Sequence, residues 1–530
     1  MRNLELAGRS PVHSLHGMAA TSHPLATLTA IDVLRDGGNA LDAAVAACAV
    51  QCVVEPQSTG IGGDCFVLLA PGGGDRVVAF NGSGRAPAKA TSQWYRSQGI
   101  TEIERASPHA VTVPGAVDAW AQLLADHGSR SLGEVLAPAI QTAREGYVIH
   151  SRVASDWLKA TPILTHDPGA ARIFLPDGRA PREGELHRQP ELAETLERIA
   201  QEGPEGFYRG PVAEDIVSHL QSLGGLHDLA DFAQAKGDYV TPIKTDYRGY
   251  QVHECPPNGQ GLAALVLLNI LEGFPLGDLA PLSVERLHLE IEAARLAYRE
   301  RDSLIGDPAQ VQVPVEHLLS RDHAAALRAE IDPGRATVSL PPAQVAAHAD
   351  TVYITVVDRD RNAVSFINSL FSSFGSGILA PKSGVMLQNR GTSFRIDPDH
   401  PNGIAPGKRP MHTIIPAMVV KDGRTVMPFG VMGGHYQVMG HGHFLTNLLD
   451  LGLDLQEAID LPRVFAPQSG PVEVESGIPA EAAAGLAARG HELTTPAKPI
   501  GGGQAIWIDW ESGVLTGASD PRKDGCALGY

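Results

Sequence analysis

The sequence predicts a water-soluble protein of mixed helix and strand, built either as two to four ordinary domains or as one large layered fold. Three observations carry that expectation. The chain is 530 residues long, enough for several cores or for a single extensive one. Its 43% apolar content, with 57 glycines and 39 prolines, suits a globular chain with many tight turns and argues against disorder. Helical periodicity dominates the middle of the chain, and strand-like alternation returns after residue 350.

The elements follow in order. Residues 24–36 read as a helix, with "DGGNA" (Asp36 to Ala40) as its glycine stop and the start of the next helix. Ala-rich "LDAAVAACAV" suits close packing between layers, and its apolar run is too short to span a bilayer. "STGIGGDCFVLLA" passes from a glycine turn into a strand, and "PGGG" from Pro71 to Gly74 is a further turn. From Pro114 to about Glu330 the pattern is mainly helical, with "LHLEIEAARLAYRERD" the clearest amphipathic stretch. "DPGRATVSLPPAQVAAHAD" follows neither period and reads as a linker. After it, "TVYITVVD" and "NAVSFINS" form a hairpin around "RDR". Centring that hairpin on Asp360 sets Thr351 opposite Ser369, so that two hydroxyls meet; a slip of one residue would turn Ser369 to the other face.

Composition excludes some functions. A net charge of −18 disfavours nucleic acid and membrane surfaces as partners, and its plain meaning is solubility. The five cysteines are odd in number and lack paired CxxC spacing, which fits reduced thiols better than disulfides or a zinc site. The N-terminal stretch has no apolar core of the signal-peptide kind, so a cytoplasmic location is the default expectation.

Most chemical motifs fail on inspection. "GIAPGKRP" is too short for a phosphate loop and places Arg409 where a magnesium-holding Ser or Thr is needed. His435, His441 and His443 lie close in sequence without neighbouring carboxylates, so ordinary histidines are expected there rather than a metal site. The Gly433–Gly434 pair follows a strand and could aim backbone N–H groups at a ligand, although such pairs most often mark turns. A threonine opening a strand is usually structural as well. Cleavage between Asp350 and Thr351 would change its chemistry, because the freed α-amine titrates near neutrality beside the hydroxyl it would deprotonate.

Further stretches decide between these readings. "GGNALDAAVA", "VVEPQSTGIGGD", "RAPAKA", "VTVPGAVDAW", "GFYRGPVAEDIV", "YRGYQVHECPP", "LLNILEGF", "FGSGI" and "ASDPRKDGCALGY" occur in the order found in the γ-glutamyltransferase family of N-terminal-nucleophile hydrolases. The chain resembles that family from about Ala20 to Tyr530. The resemblance implies an α+β fold, a four-layer αββα sandwich. It also implies a precursor cut into a large chain (1–350) and a small chain (351–530) that together form one intertwined domain. Thr351 resembles the nucleophile, Ser369 takes the place of the threonine beside it, and the Gly433 and Gly434 N–H groups resemble the oxyanion hole. No cofactor and no metal are implied. The partners implied are a small-molecule amide substrate and the two chains of one precursor, which the family pattern allows to pair into a dimer of heterodimers.

Substrate recognition departs from the family pattern. Where the family binds the glutamyl α-ammonium, this chain has Phe371, Arg390 and Ser393. The carboxylate-gripping arginine falls near Ser83, with Arg85 two residues away, and the paired serines become His412 and Thr413. Arginine repels an ammonium and phenylalanine cannot hydrogen-bond it. The expected acyl group therefore carries a carboxylate without an ammonium, as in oxamate amidohydrolases and glutaryl-type acylases, with a γ-glutamyl amide as the substrate of the parent pattern. The segment from Phe394 to Lys408 is short, which implies a lidless site favouring water as acceptor. The plain reading of Arg390 is a salt bridge to a surface carboxylate. A non-catalytic binding protein that never self-cleaves is the competing class, and retention of Thr351, Ser369 and the glycine pair counts against it.

Overall fold

The computed structural model describes residues 8–337 and 350–530. Two seven-stranded antiparallel sheets stack face to face with helices on both outer sides, making four αββα layers. The strands, in chain order, are β1 (Val12–Ser14), β2 (Met18–Ala20), β3 (Asp64–Ala70), β4 (Val78–Gly82), β5 (Asp238–Val240), β6 (Ile243–Tyr247) and β7 (Tyr250–Glu254). They continue with β8 (Asp350–Val357), β9 (Ala363–Phe371), β10 (Ala417–Lys421), β11 (Arg424–Met432), β12 (Gly502–Ile508), β13 (Leu515–Ser519) and β14 (Ala527–Gly529). One sheet runs β1-β13-β12-β11-β10-β7-β6 and the other β14-β2-β8-β9-β3-β4-β5. Each takes strands from both sides of Thr351.

Strand alternation sorts side chains into the layers. On β3, Phe66, Leu68 and Ala70 enter the core between the sheets, while Cys65, Val67 and Leu69 pack under helices. Both faces are buried, which is why "DCFVLLA" reads as a continuous apolar run rather than an alternating one. Helix α1 (Pro24–Arg35) and helix α2 (Ala40–Val54) cover that outer face; α2 is buried along its whole length, and its N-terminus carries an Asn39–Asp42 capping box. On the opposite side lie α3 (Gly261–Leu271), α4 (Val284–Leu304) and α5 (Gln437–Leu449).

The stretch from Pro114 to Glu330 is mainly helical, as expected, and is interrupted by the short strands β5, β6 and β7. Arg248 (φ 50°) and Gly249 (φ 80°) form the two-residue loop between β6 and β7, a left-handed pair typical of tight hairpins. One expectation is corrected: α4 is not amphipathic but buried around most of its circumference, because it lies between α3, α5 and the C-terminal segments. Its polar residues are met inside the protein: Arg286 donates to Asn447 at 2.6 Å, and Glu290 lies 2.9 Å from His443. Tertiary partners, not water, account for the charges.

Burial holds several histidines neutral. His187, His227 and His412 are each pushed down to about 4, foremost by desolvation. The unfolded chain binds protons at these positions below about pH 6.5, whereas the native state does not until about pH 4. Stability from this source is therefore complete above that window and declines as pH falls through it, by up to about 1.4 kcal/mol per pH unit for each residue. Thermal melts between pH 7 and pH 4 are expected to show a steep fall in Tm. A flat profile would show that these rings are protonated in the native state.

Candidate active site

The centre of the site is the far end of the β8–β9 hairpin. Residues Val352 to Val357 pair with Asn368 to Ala363 in the expected register, and the ladder then breaks into a bulge at Thr351, with Asp350 opposite Phe371. A bulge twists the strand and releases one residue from the ladder. Here it brings Thr351 Oγ1 to 3.0 Å from Ser369 Oγ, with both residues buried. Ser369 Oγ also accepts the Phe371 N–H at 2.9 Å, which fixes its rotamer. Ser369→Ala is expected to lower the rate of chain cleavage and of turnover by roughly ten- to a thousandfold while the fold persists. Unchanged kinetics, measured by electrophoresis and substrate hydrolysis, would mean that the 3.0 Å contact has no catalytic role.

Stacking of the sheets sets what faces this hydroxyl pair. Thr355 Oγ1 donates to the Pro428 carbonyl at 3.4 Å, and the Tyr353 ring lies over Gly430, where a Cβ would come within 2.4 Å of it. Two residues along β8 thus correspond to two residues back along β11, so β8 runs toward Thr351 as β11 runs toward Met432. There Gly433 (φ 127°) and Gly434 (φ 60°) adopt left-handed conformations that suit glycine and open a single 3₁₀ turn, Gly434–Tyr436. The His435 ring stands 6.0 Å, centroid to centroid, from that of Phe371, linking this turn to the hairpin end.

Arg390 is wholly buried, contrary to the surface salt bridge considered for it, and it forms no ion pair with any described residue. Its guanidinium carbon lies 4.0 Å from the centroid of the Phe371 ring, and its Nη1 donates to Thr413 Oγ1 at 2.7 Å. The Nε and Nη2 groups have no hydrogen-bond partner among the described residues. Burial pushes its pKa down to about 9, partly offset by the charge of Asp64, and it stays cationic at neutral pH.

Asp64, fully buried and opposite Ser369 on the neighbouring strand, is a site residue that sequence reasoning missed. Its Oδ1 accepts from the Gly84 and Gly115 N–H groups and from Gln388, and its Oδ2 lies 3.0 Å from His412 Nε2. His412 Nδ1 accepts the Ile414 N–H, so the ring's proton sits on Nε2 and is donated to Asp64. The only sequence signal is the acidic residue closing "GIGGD".

A chain of contacts runs from Ser369 through the Phe371 N–H to Arg390 and Thr413, and His412 is tied to Asp64 opposite Ser369. Arg85 stands apart: it donates to the Gly407 carbonyl, and its charge is met by Asp238 at 3.3 Å and Asp307 at 3.8 Å. Pairing the wider segment around Ser83 with the carboxylates of β5 and of the loop at Asp307 requires the folded chain, so spacing alone does not reveal it. Ser393 lines a neighbouring cleft of about 520 Å³ together with Arg301, Thr392, Asn402 and Met411, and its buried hydroxyl has no partner among the described residues. The three histidines go to separate partners: His435 to Arg301, His441 to Glu254 and His443 to Glu290. Residues 338–349 of the expected linker lie outside the described residues, and among those described no helix is long and apolar enough to cross a membrane.

An αββα sandwich of this composition is the fold of the N-terminal-nucleophile hydrolases, as its structural likenesses bear out. A crystal structure of cephalosporin acylase from Bacillus halodurans superposes with a TM-score of 0.92 at 39% identity, covering 100% of this chain and 98% of that one. More particularly, the chain belongs to the γ-glutamyltranspeptidase family, whose model matches residues 26–530, and it is an enzyme of that family. The glutathione hydrolase-like YwrD proenzyme of Bacillus subtilis is 38% identical over 520 residues, covering 97% of this chain and 98% of its own. The oxamate amidohydrolase proenzyme of Klebsiella pneumoniae is 36% identical over 532 residues, covering 98% and 99%.

Proposed function

We propose that this protein is a self-cleaving amidohydrolase that transfers a small, carboxylate-bearing acyl group from an amide to Thr351 and then to water. In the precursor, Thr351 Oγ1 attacks the Asp350 carbonyl carbon. The C–N bond breaks, the nitrogen leaves as the new α-amine, and water opens the resulting ester. In the mature enzyme the α-amine takes the hydroxyl proton as Oγ1 attacks the substrate carbonyl, and the proton passes to the leaving amine. Ser369 orients Oγ1 through the 3.0 Å contact, and the Gly433 and Gly434 N–H groups receive the oxyanion. Water then releases the acid and regenerates the hydroxyl.

The observation that carries the substrate class is Arg390, a buried cation with two nitrogens unsatisfied among the described residues, stacked on the residue whose N–H holds Ser369. A desolvated guanidinium with donors to spare suits a carboxylate and repels an ammonium. The name of the Klebsiella relative, an oxamate amidohydrolase, is consistent with such an acyl group. A γ-glutamyl substrate is the second reading, favoured by the name of the Bacillus relative. Glutaryl anilide, oxamate and γ-glutamyl anilide compared side by side decide between them. Higher kcat/KM for the ammonium-free substrates is expected, and glutathione as the best substrate would overturn the pocket assignment.

A further inference from the structure

Gln260, at the mouth of α3, is fully buried and makes contacts that no part of the proposed mechanism uses. Its side-chain nitrogen donates to the Thr413 carbonyl at 2.7 Å and to the Gly434 carbonyl at 2.9 Å, which occupies both of its hydrogens. Its Oε1 accepts from Arg301 Nη1 at 2.8 Å, and the same nitrogen of Arg301 lies 3.0 Å from His435 Nδ1. The amide can face only one way here, since a flip would set its oxygen against two carbonyls. The Gln260 backbone N–H donates to the His412 carbonyl at 2.8 Å, so main chain and side chain hold the same segment.

Each of the two carbonyls belongs to a residue with a different task. Gly434 is half of the glycine pair to which the proposed function gives the oxyanion, and the Thr413 hydroxyl accepts from Arg390. We infer that Gln260 is a positioning residue that fixes the separation between the oxyanion-binding turn and the anion-binding arginine, and thereby the length of acyl chain the enzyme accepts. This rests on the proposed function, because it takes Gly433–Gly434 and Arg390 as the two ends of the acyl site. An acyl group must place its carbonyl oxygen at one end and its carboxylate at the other, so a fixed span selects one number of intervening carbons. The two carbonyls are bridged by hydrogen bonds to a single buried nitrogen, while the Gln260 backbone N–H steadies the His412–Thr413 side. Loosening either side-chain bond lets the two ends drift independently, and a misplacement on the order of 1 Å lowers rates about a hundredfold.

The test compares oxalyl, succinyl, glutaryl and adipyl anilides with the matured enzyme. Gln260→Glu keeps the side-chain length but sets carboxylate oxygens against both carbonyls, and Gln260→Asn withdraws the amide by one methylene. Both are expected to lower kcat about ten- to a hundredfold on every substrate and to flatten the kcat/KM ratio between best and next-best chain length at least fivefold, with the Tm read alongside. If neither variant matures, Arg301→Met, which frees Gln260 Oε1 and leaves its donors, is expected to flatten the ratio at least twofold. An unchanged ratio in any matured variant overturns the inference. The wild-type panel separates this from the underlying reading: a preference for carboxylate-bearing acyl groups that persists while the length ratio never moves leaves the proposed function standing and removes Gln260 from it.

Discussion

Thr351→Ala is expected to yield one uncut chain of 56.0 kDa with no detectable amidase activity, where the wild type yields two chains whose smaller one begins at Thr351. The hydroxyl serves twice in the proposed chemistry, first against the Asp350 carbonyl and then against the substrate, so its removal abolishes both steps. Loss of a nucleophile lowers kcat by on the order of 10³–10⁶. The fold should survive, because the substitution removes two atoms from a bulge whose flanking pairs, Val352 with Asn368 and Asp350 with Phe371, are made by main chain. Thr351→Ser retains the hydroxyl and is expected to cleave and turn over more slowly. Denaturing electrophoresis and mass spectrometry are sufficient checks. A small chain beginning at any other residue would remove Thr351 from the nucleophile's role.

Arg390→Met is expected to reverse the substrate preference without lowering the Tm. A charge-assisted contact between the guanidinium and an acyl carboxylate contributes about 1.5–3 kcal/mol, so kcat/KM for glutaryl anilide should drop roughly 10- to 150-fold. An uncharged butyryl anilide should change far less, and γ-glutamyl anilide should improve as the repulsion of its ammonium disappears. The stability expectation has the opposite direction from that of most core substitutions. Arg390 is a buried cation with two nitrogens unpartnered among the described residues, and methionine of similar length can rest on the Phe371 ring without that desolvation penalty. A protein holding an unpaired charge at a cost to its own stability has the signature of a binding site. Should the variant lose several degrees in Tm and keep its substrate ranking, Arg390 is a structural residue.

The histidines and the charged helix show how environment decides chemistry. The sequence does not distinguish a buried Arg390 from a surface one, because an isolated arginine near "NRGTS" has no periodic context. Its burial follows from Phe371 and Thr413, which lie 19 residues before it and 23 after it. Likewise α4 reads as amphipathic from its own residues, and only its neighbours α3 and α5 reveal that the polar side is enclosed.

What the sequence determined by itself is the hairpin and its partners. Period-two alternation on either side of "RDR" sets which residues pair, so the Thr351–Ser369 meeting is legible in the spacing alone, as is the glycine pair after β11. These depend on local backbone geometry, which spacing encodes directly. The tertiary structure alone decided that Arg85 is occupied by Asp238 and Asp307, that His412 donates to Asp64, and that Gln260 holds Gly434 and Thr413 together. Those contacts join residues at least 153 positions apart in the chain, and they exist only because the folded sheets bring distant segments side by side. No periodicity within a strand or helix carries that distance, since it is set by how the layers pack and not by how any one element repeats.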